Sequence, residues 1–260
     1  VYVCKLALSA PKATFRIKLA NQRAGLIKAC YCRCGQVNVR RNETTNDGFS
    51  VKTPKDIAQA LIEPIQNASG RARRKVVAVA GPPASGKSTI STEIAALLDA
   101  NGHTSQVVPM DGYHLDNEIL IARGLLHRKG APETFDAIGF SELVSKLAVD
   151  EQVDYPTFDR RLDASIPNGG SVLAECDIVL VEGNYLLFDA PVWRDLVDKW
   201  DFTVWLDVPE MELRARLVQR WLDNGLDRQQ AIARAEENDL ANALTVNRAK
   251  FDADITVSVV

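Results

Sequence analysis

The string Gly81-Pro-Pro-Ala-Ser-Gly86-Lys87-Ser88-Thr89 constrains this chain more than any other feature. It follows an apolar run at 76–80 and precedes a periodic segment at 88–98, which Asn101-Gly102 brings to a stop. In that setting the pattern G-x-x-x-x-G-K-[ST] demands a strand, a tight loop and a helix whose positive end points back at the loop. Main-chain N–H groups of such a loop wrap around phosphate oxygens. A lysine, here Lys87, reaches the β/γ oxygens, and a hydroxyl, here Ser88, holds Mg²⁺. Candidate phosphate contacts are therefore Gly81, Ala84, Ser85, Gly86, Lys87, Ser88 and Thr89. The expected ligand is a nucleoside triphosphate.

The rest of the chain fits around that loop. Short β-branched runs at 76–80, 107–109, 178–181, 202–208 and 255–259 are apolar on nearly every position. Leu97/Leu98, Leu143/Val144/Leu147 and Leu213/Leu217/Trp221 supply helical-period stripes between them. Strands of that kind are buried on both faces, which predicts a parallel sheet covered by helices, an α/β fold. Thr53-Pro-Lys-Asp opens a capped helix. The segment 112–170, with its Pro, Gly and paired charges, reads as a cap over one sheet edge. Arg71-Ala-Arg-Arg-Lys75 reads as a solvated strand entry.

Charge divides the chain. Residues 1–42 hold nine Lys/Arg and no acid, whereas the chain as a whole is at −3, so the remainder stands at −12. An acidic body repels phosphate backbones and argues against nucleic-acid binding. No uncharged apolar run approaches the roughly 18 residues that would cross a bilayer. Residues 1–52 read as a basic, poorly ordered leader ahead of a domain at 53–260. A targeting peptide is the alternative, disfavoured by the scarcity of Ser. Cys4, Cys30, Cys32 and Cys34 lie in that leader, and Cys176 stands alone. Their C-x-C-x-C spacing is not that of zinc pairs, so unpaired thiols in a reducing cytoplasm are expected.

Two acids follow apolar strands. Glu182 ends Ile178-Val-Leu-Val and needs a cation or water at the strand mouth, because an unpaired carboxylate within the strand would cost several kcal/mol. That makes it the candidate Mg²⁺-side carboxylate. Asp111 ends Val107-Val-Pro-Met, close to where a γ-phosphate must lie in a parallel sheet. It suits either a base that takes the proton of an acceptor hydroxyl or a plain Asp-Gly turn. Tyr113 and His114 either line an acceptor pocket or pack. Arg216 and Arg220, four apart on one helix face, suit an anion between them or a solvated surface.

Taken together, 81–89, Met110-Asp-Gly-Tyr-His114, Arg128-Lys-Gly-Ala-Pro-Glu-Thr-Phe-Asp136, Tyr155-Pro-Thr-Phe-Asp-Arg160 and Val181-Glu-Gly-Asn-Tyr-Leu-Leu187 resemble the phosphoribulokinase/uridine kinase/pantothenate kinase family. Glu182–Leu187 and Asn238-Asp-Leu-Ala-Asn242 look like its fructose transport system kinase or uridine kinase-like branch. The resemblance spans about 53–260. It implies a P-loop NTPase three-layer α/β/α sandwich with a five-stranded parallel core, an acceptor-side cap at about 112–170 and a helical lid at about 212–242. It further implies Asp111 as catalytic carboxylate beside Lys87, Ser88 and Glu182 on the Mg²⁺ side, and lid arginines Arg216 and Arg220. The implied activity is transfer of the γ-phosphate of ATP to a hydroxyl of a small metabolite. Phe158 and Arg160 depart from the Pro-x-Tyr-Ser-His of pantothenate kinases, which turns the expectation toward an anionic or polyhydroxy acceptor. A hydrolysing nucleotide switch acting on a protein partner is the rival. Against it, no Asn-Lys-x-Asp or Leu-Ser-Gly-Gly-Gln string occurs.

Overall fold

The computed structural model describes residues 53–259 and a two-residue parallel pairing of β1 (Phe15–Arg16) with β2 (Gly35–Gln36). Apart from that pairing, the expected leader and its four cysteines lie outside the described residues. Helix α1 (Pro54–Asn67) starts at the expected cap. Thr53 Oγ1 accepts from the Asp56 amide at 3.2 Å while the Asp56 carboxylate accepts from the Thr53 amide at 3.0 Å. The exchange satisfies two donors that a helix start otherwise leaves open.

The five apolar runs form one parallel sheet. Its strands are β3 (Lys75–Ala80), β4 (Ser105–Pro109), β7 (Ile178–Gly183), β8 (Phe202–Asp207) and β9 (Ile255–Ser258), in the order β4-β7-β3-β8-β9. Alternate residues of β3 enter two separate cores. Val76, Ala78 and Ala80 join Phe140, Leu143 and Leu147 of α4 (Ala137–Val149) on one face. Val77 and Val79 join Ile57, Leu61 and Ile65 of α1, and Ile90, Ile94 and Leu98 of α2 (Lys87–Ala100), on the other. Helices therefore cover both faces, giving an α/β/α sandwich. Each buried Val, Leu or Ile contributes about 1.5–3 kcal/mol over an exposed one.

The segment 112–170 divides into two parts with different roles. Its α4 carries the apolar stripe at 143, 144 and 147 and belongs to the core layer. The short helix α3 (Asn117–Ala122) and the antiparallel hairpin of β5 (Val153–Asp159) and β6 (Ala164–Val172) project on the β4 side. The remaining helices are α5 (Glu210–Asp223), α6 (Arg228–Arg234) and α7 (Ala241–Arg248), with a π-helical turn, Ala235–Leu240, joining the last two.

The basic entry to β3 is solvated at Arg71 and Arg73 but not at Arg74 and Lys75. Arg74 is 1% exposed, and its guanidinium donates to the carbonyls of Leu147, Glu151, Leu173 and Cys176 at 2.7–3.4 Å. Lys75 donates to the carbonyls of Ile65 and Gln66 at the end of α1. Runs of basic residues look solvated in sequence. Here, strand and helix ends supply the carbonyls that let two of them go inside.

Candidate active site

The carboxyl ends of β3, β7 and β4, three neighbours in the sheet, deliver the polar groups of one cleft of about 260 Å³. Pro83, Ala84, Gly86, Lys87, Ser88, Thr89, Asp111, Arg160, Glu182, Asn184 and Arg220 line it. Open α/β sheets place ligands at this end of their strands.

The loop after β3 is held open for an anion. Ala84 and Gly86 take left-handed φ of 61° and 90°, the kind of turn that gathers backbone amides into an anion-binding concavity. A Cβ on Gly81 would lie 2.7 Å from Ser85 Oγ, so only glycine lets the loop close this tightly. Helix α2 starts at Gly86 with no side chain capping its first turn. Its leading amides and its positive dipole end are thus left to a ligand.

Lys87 is 8% exposed and donates to Pro82 O at 2.9 Å and to Asn184 Oδ1 at 2.8 Å. Burial pulls its ammonium down to about 8, against the opposing pull of Glu182 and Asp111. Glu182, also 8% exposed, pairs in register with Val79 on one side and Pro109 on the other. It accepts from Ser88 Oγ at 2.9 Å. Burial pushes its carboxyl up, and Lys87 moderates the rise. A carboxylate and a hydroxyl at the loop are the hard oxygen donors Mg²⁺ takes when phosphates complete its shell. Among the described residues no group of three or more His, Cys, Asp or Glu could hold a metal without such phosphates.

Asp111 sits two residues beyond β4, in the 3₁₀ turn Met110–Tyr113. Arg160, at the end of β5, places a guanidinium nitrogen 3.4 Å from its Oδ2. Gly112 lies so close to the Pro156 carbonyl that a Cβ there would collide with it, and Ser165 Oγ donates to Gly112 O at 2.5 Å. The hairpin is therefore seated on the Asp111–Gly112 turn.

Of the other sequence candidates, Gly81, Ser85, Tyr113, His114, Phe158 and Arg216 do not line the cleft. Tyr113 packs edge-on against Phe140, and His114 lies between Phe135 and Phe158 with Nδ1 2.8 Å from Asp111 O. Burial pulls the His114 ring down, against the opposing pull of Asp111. Of the two arginines on α5, Arg220 lines the cleft, while Arg216 instead bonds Glu212 one turn back at 2.7 Å. A spacing of four could not tell which of the two faces inward. Among the described residues, Arg220 Nε is buried with no hydrogen-bond partner. Burial, then the nearby Arg160, pulls its guanidinium down. Asn184 escaped sequence reasoning, because an amide two residues past Glu182 signals nothing until the fold brings it to Lys87. Cys176 is a buried thiol that burial pushes up, away from reactivity.

The sequence model of the Phosphoribulokinase / Uridine kinase family matches residues 76–260. The chain belongs to that family. It is 51% identical to the crystal structure of a "putative fructose transport system kinase" from Silicibacter sp. TM1040, over 79% of this chain and 98% of that one, at a TM-score of 0.73. Protein YggC of Escherichia coli K12, whose function is uncharacterized, is 36% identical over 189 residues, 72% of this chain and 78% of YggC. Pantothenate kinase of Yersinia pestis (strain Pestoides F) is 29% identical over 173 residues, 63% of this chain and 55% of that enzyme. This family member is a kinase: an ATP-dependent phosphotransferase acting on a hydroxyl of a small metabolite, with the ATP and Mg²⁺ use of P-loop kinases. Among the described residues no helix is long and apolar enough to cross a membrane.

Proposed function

We propose that the cleft divides into a nucleotide half and an acceptor half, with Asp111 at the junction. The supporting observation is that Lys87, the Ser88–Glu182 pair and Asp111 line one continuous cleft at adjacent strand ends. In the nucleotide half, the amides of 84–89 hold the triphosphate tail, and Lys87 and Arg220 neutralise its charge. Ser88 and Glu182 would hold Mg²⁺, which when bound neutralises the β- and γ-phosphate oxygens. In the acceptor half, Asp111 orients the alcohol and takes its proton as the oxygen bonds to the γ-phosphorus and the bond to the β-phosphate oxygen breaks, releasing ADP. Tyr113, His114 and Phe158 support Asp111 and the hairpin through packing rather than through chemistry.

A panel of sugars, nucleosides, glycerate and pantothenate, scored for acceptor-dependent ADP release, tests this reading. Stimulation by a hydroxylated compound with formation of its phosphate is the expected result. Stimulation only by a protein would favour the nucleotide-switch rival.

A further inference from the structure

Three cations, Lys87, Arg160 and Arg220, and two carboxylates, Asp111 and Glu182, line the cleft. Lys87 and Arg220 have work in the nucleotide half. Arg160 stands near both but differs from them in pairing with Asp111. Its position is tied to Asp111, because the hairpin that carries it is seated on the Asp111–Gly112 turn through Ser165 and Pro156. The hairpin tip is fixed from the other side as well. Asp159 Oδ1 accepts from the amides of Arg161 and Leu162, and Lys129 Nζ bonds Asp163 Oδ1 at 2.9 Å while lying over the Phe158 ring. The Arg160 backbone is thus held, while its side chain is 63% exposed and has a single hydrogen-bond partner among the described residues, Asp111 Oδ2.

That pairing has a consequence for any alcohol that approaches. An alcohol that takes Oδ2 of Asp111 competes with the guanidinium that stands 3.4 Å from it. A neutral acceptor offers only its hydroxyl in exchange for a charge-assisted contact. An acceptor with its own carboxylate or phosphate offers a planar fork a better, bidentate partner and frees Asp111 at the same time. We propose that Arg160 is a specificity-determining residue that selects acceptors bearing an anionic group near the reacting hydroxyl. This deepens the kinase reading above and rests on it.

The test compares matched acceptors that differ in one anionic group: D-glycerate with glycerol, D-gluconate with sorbitol, pantothenate with panthenol, and glucose 6-phosphate with glucose. Initial rates are taken for the unaltered chain and for Arg160→Gln, Arg160→Lys and Arg160→Glu. The anionic member of at least one pair should have the higher kcat/KM. Loss of a charged hydrogen-bonding partner should then shrink the anionic-to-neutral ratio by about 10–100-fold in Arg160→Gln. Arg160→Lys should restore part of it, and Arg160→Glu should lower it further. The phosphate pair and the three carboxylate pairs tell the two kinds of anion apart. A neutral acceptor preferred by the unaltered chain would overturn the selection and leave the kinase reading standing. So would a ratio that Arg160→Gln leaves unchanged while both rates fall, the mark of a residue acting on the transferring phosphate. Transfer to no acceptor of any kind would overturn both.

Discussion

Strand β3 has a buried cation at each end, and the two are handled in opposite ways. At its entry, Arg74 spreads its donors over four main-chain carbonyls that no ligand can take away. Nearby, Asp201 accepts from the amides of Arg71 and Val76 and closes the same end. Beyond its exit, Lys87 is buried too, but it lines a cleft together with one of its partners, Asn184, whose Oδ1 accepts from it. Beside it stand a carboxylate that burial pushes up and a guanidinium nitrogen without a partner among the described residues. One end spends its polar groups on holding the fold. The other keeps them available, which is what a site that must bind and release a polyanion requires.

The comparison breaks if the two cations behave alike when removed. Lys87→Ala should lower kcat/KM by about 10³-fold or more while thermal unfolding changes little, since its contribution is made to the bound phosphates. Arg74→Met should do the reverse. Several buried carbonyls lose their donor, so stability should fall by about 3–5 kcal/mol in denaturant unfolding, with the KM for ATP of the folded fraction unchanged. A stable but inactive Arg74→Met protein would erase the distinction.

A smaller effect sharpens it. Burial pulls the Lys87 ammonium down from 10.5 to about 8 because it disfavours the charged form. Its charged form is present below that pH and lost above it. The kcat/KM for ATP, which reports groups of the free enzyme, should therefore fall roughly tenfold per unit as pH rises past about 8. A profile flat to pH 10 would show that the ammonium keeps its proton and that its burial is relieved in solution.

How much of this was legible beforehand follows from what each signal depends on. The five core strands could be read because burial on both faces leaves a continuous apolar run, and residues 178–183 are buried at every position. The loop at 81–89 could be read because backbone geometry there admits few residues. The spacing around Asp111 suits a base or a turn alike, and it is the family resemblance and the shared cleft that favour the base. Partners set by tertiary contact were not legible. Arg74 looked like its solvated neighbours until the carbonyls of α4 and the β6–β7 connection reached it. Arg216 and Arg220 looked equivalent until Glu212 claimed the first. The stripe of α4 at 143, 144 and 147 is legible as an apolar face, but a stripe does not say which layer buries it, so the helix reads as part of the cap around it.

The central claim is that Asp111 serves the acceptor and not the nucleotide. Asp111→Asn, assayed for both steps on one preparation with an acceptor drawn from the panel, tests it most directly. Turnover should drop by about 10²–10⁴-fold, while the Kd for ATP measured by titration stays within about threefold of its original value. An Asn variant that turns over at full rate, or one that loses ATP binding in proportion to its loss of rate, would contradict the account.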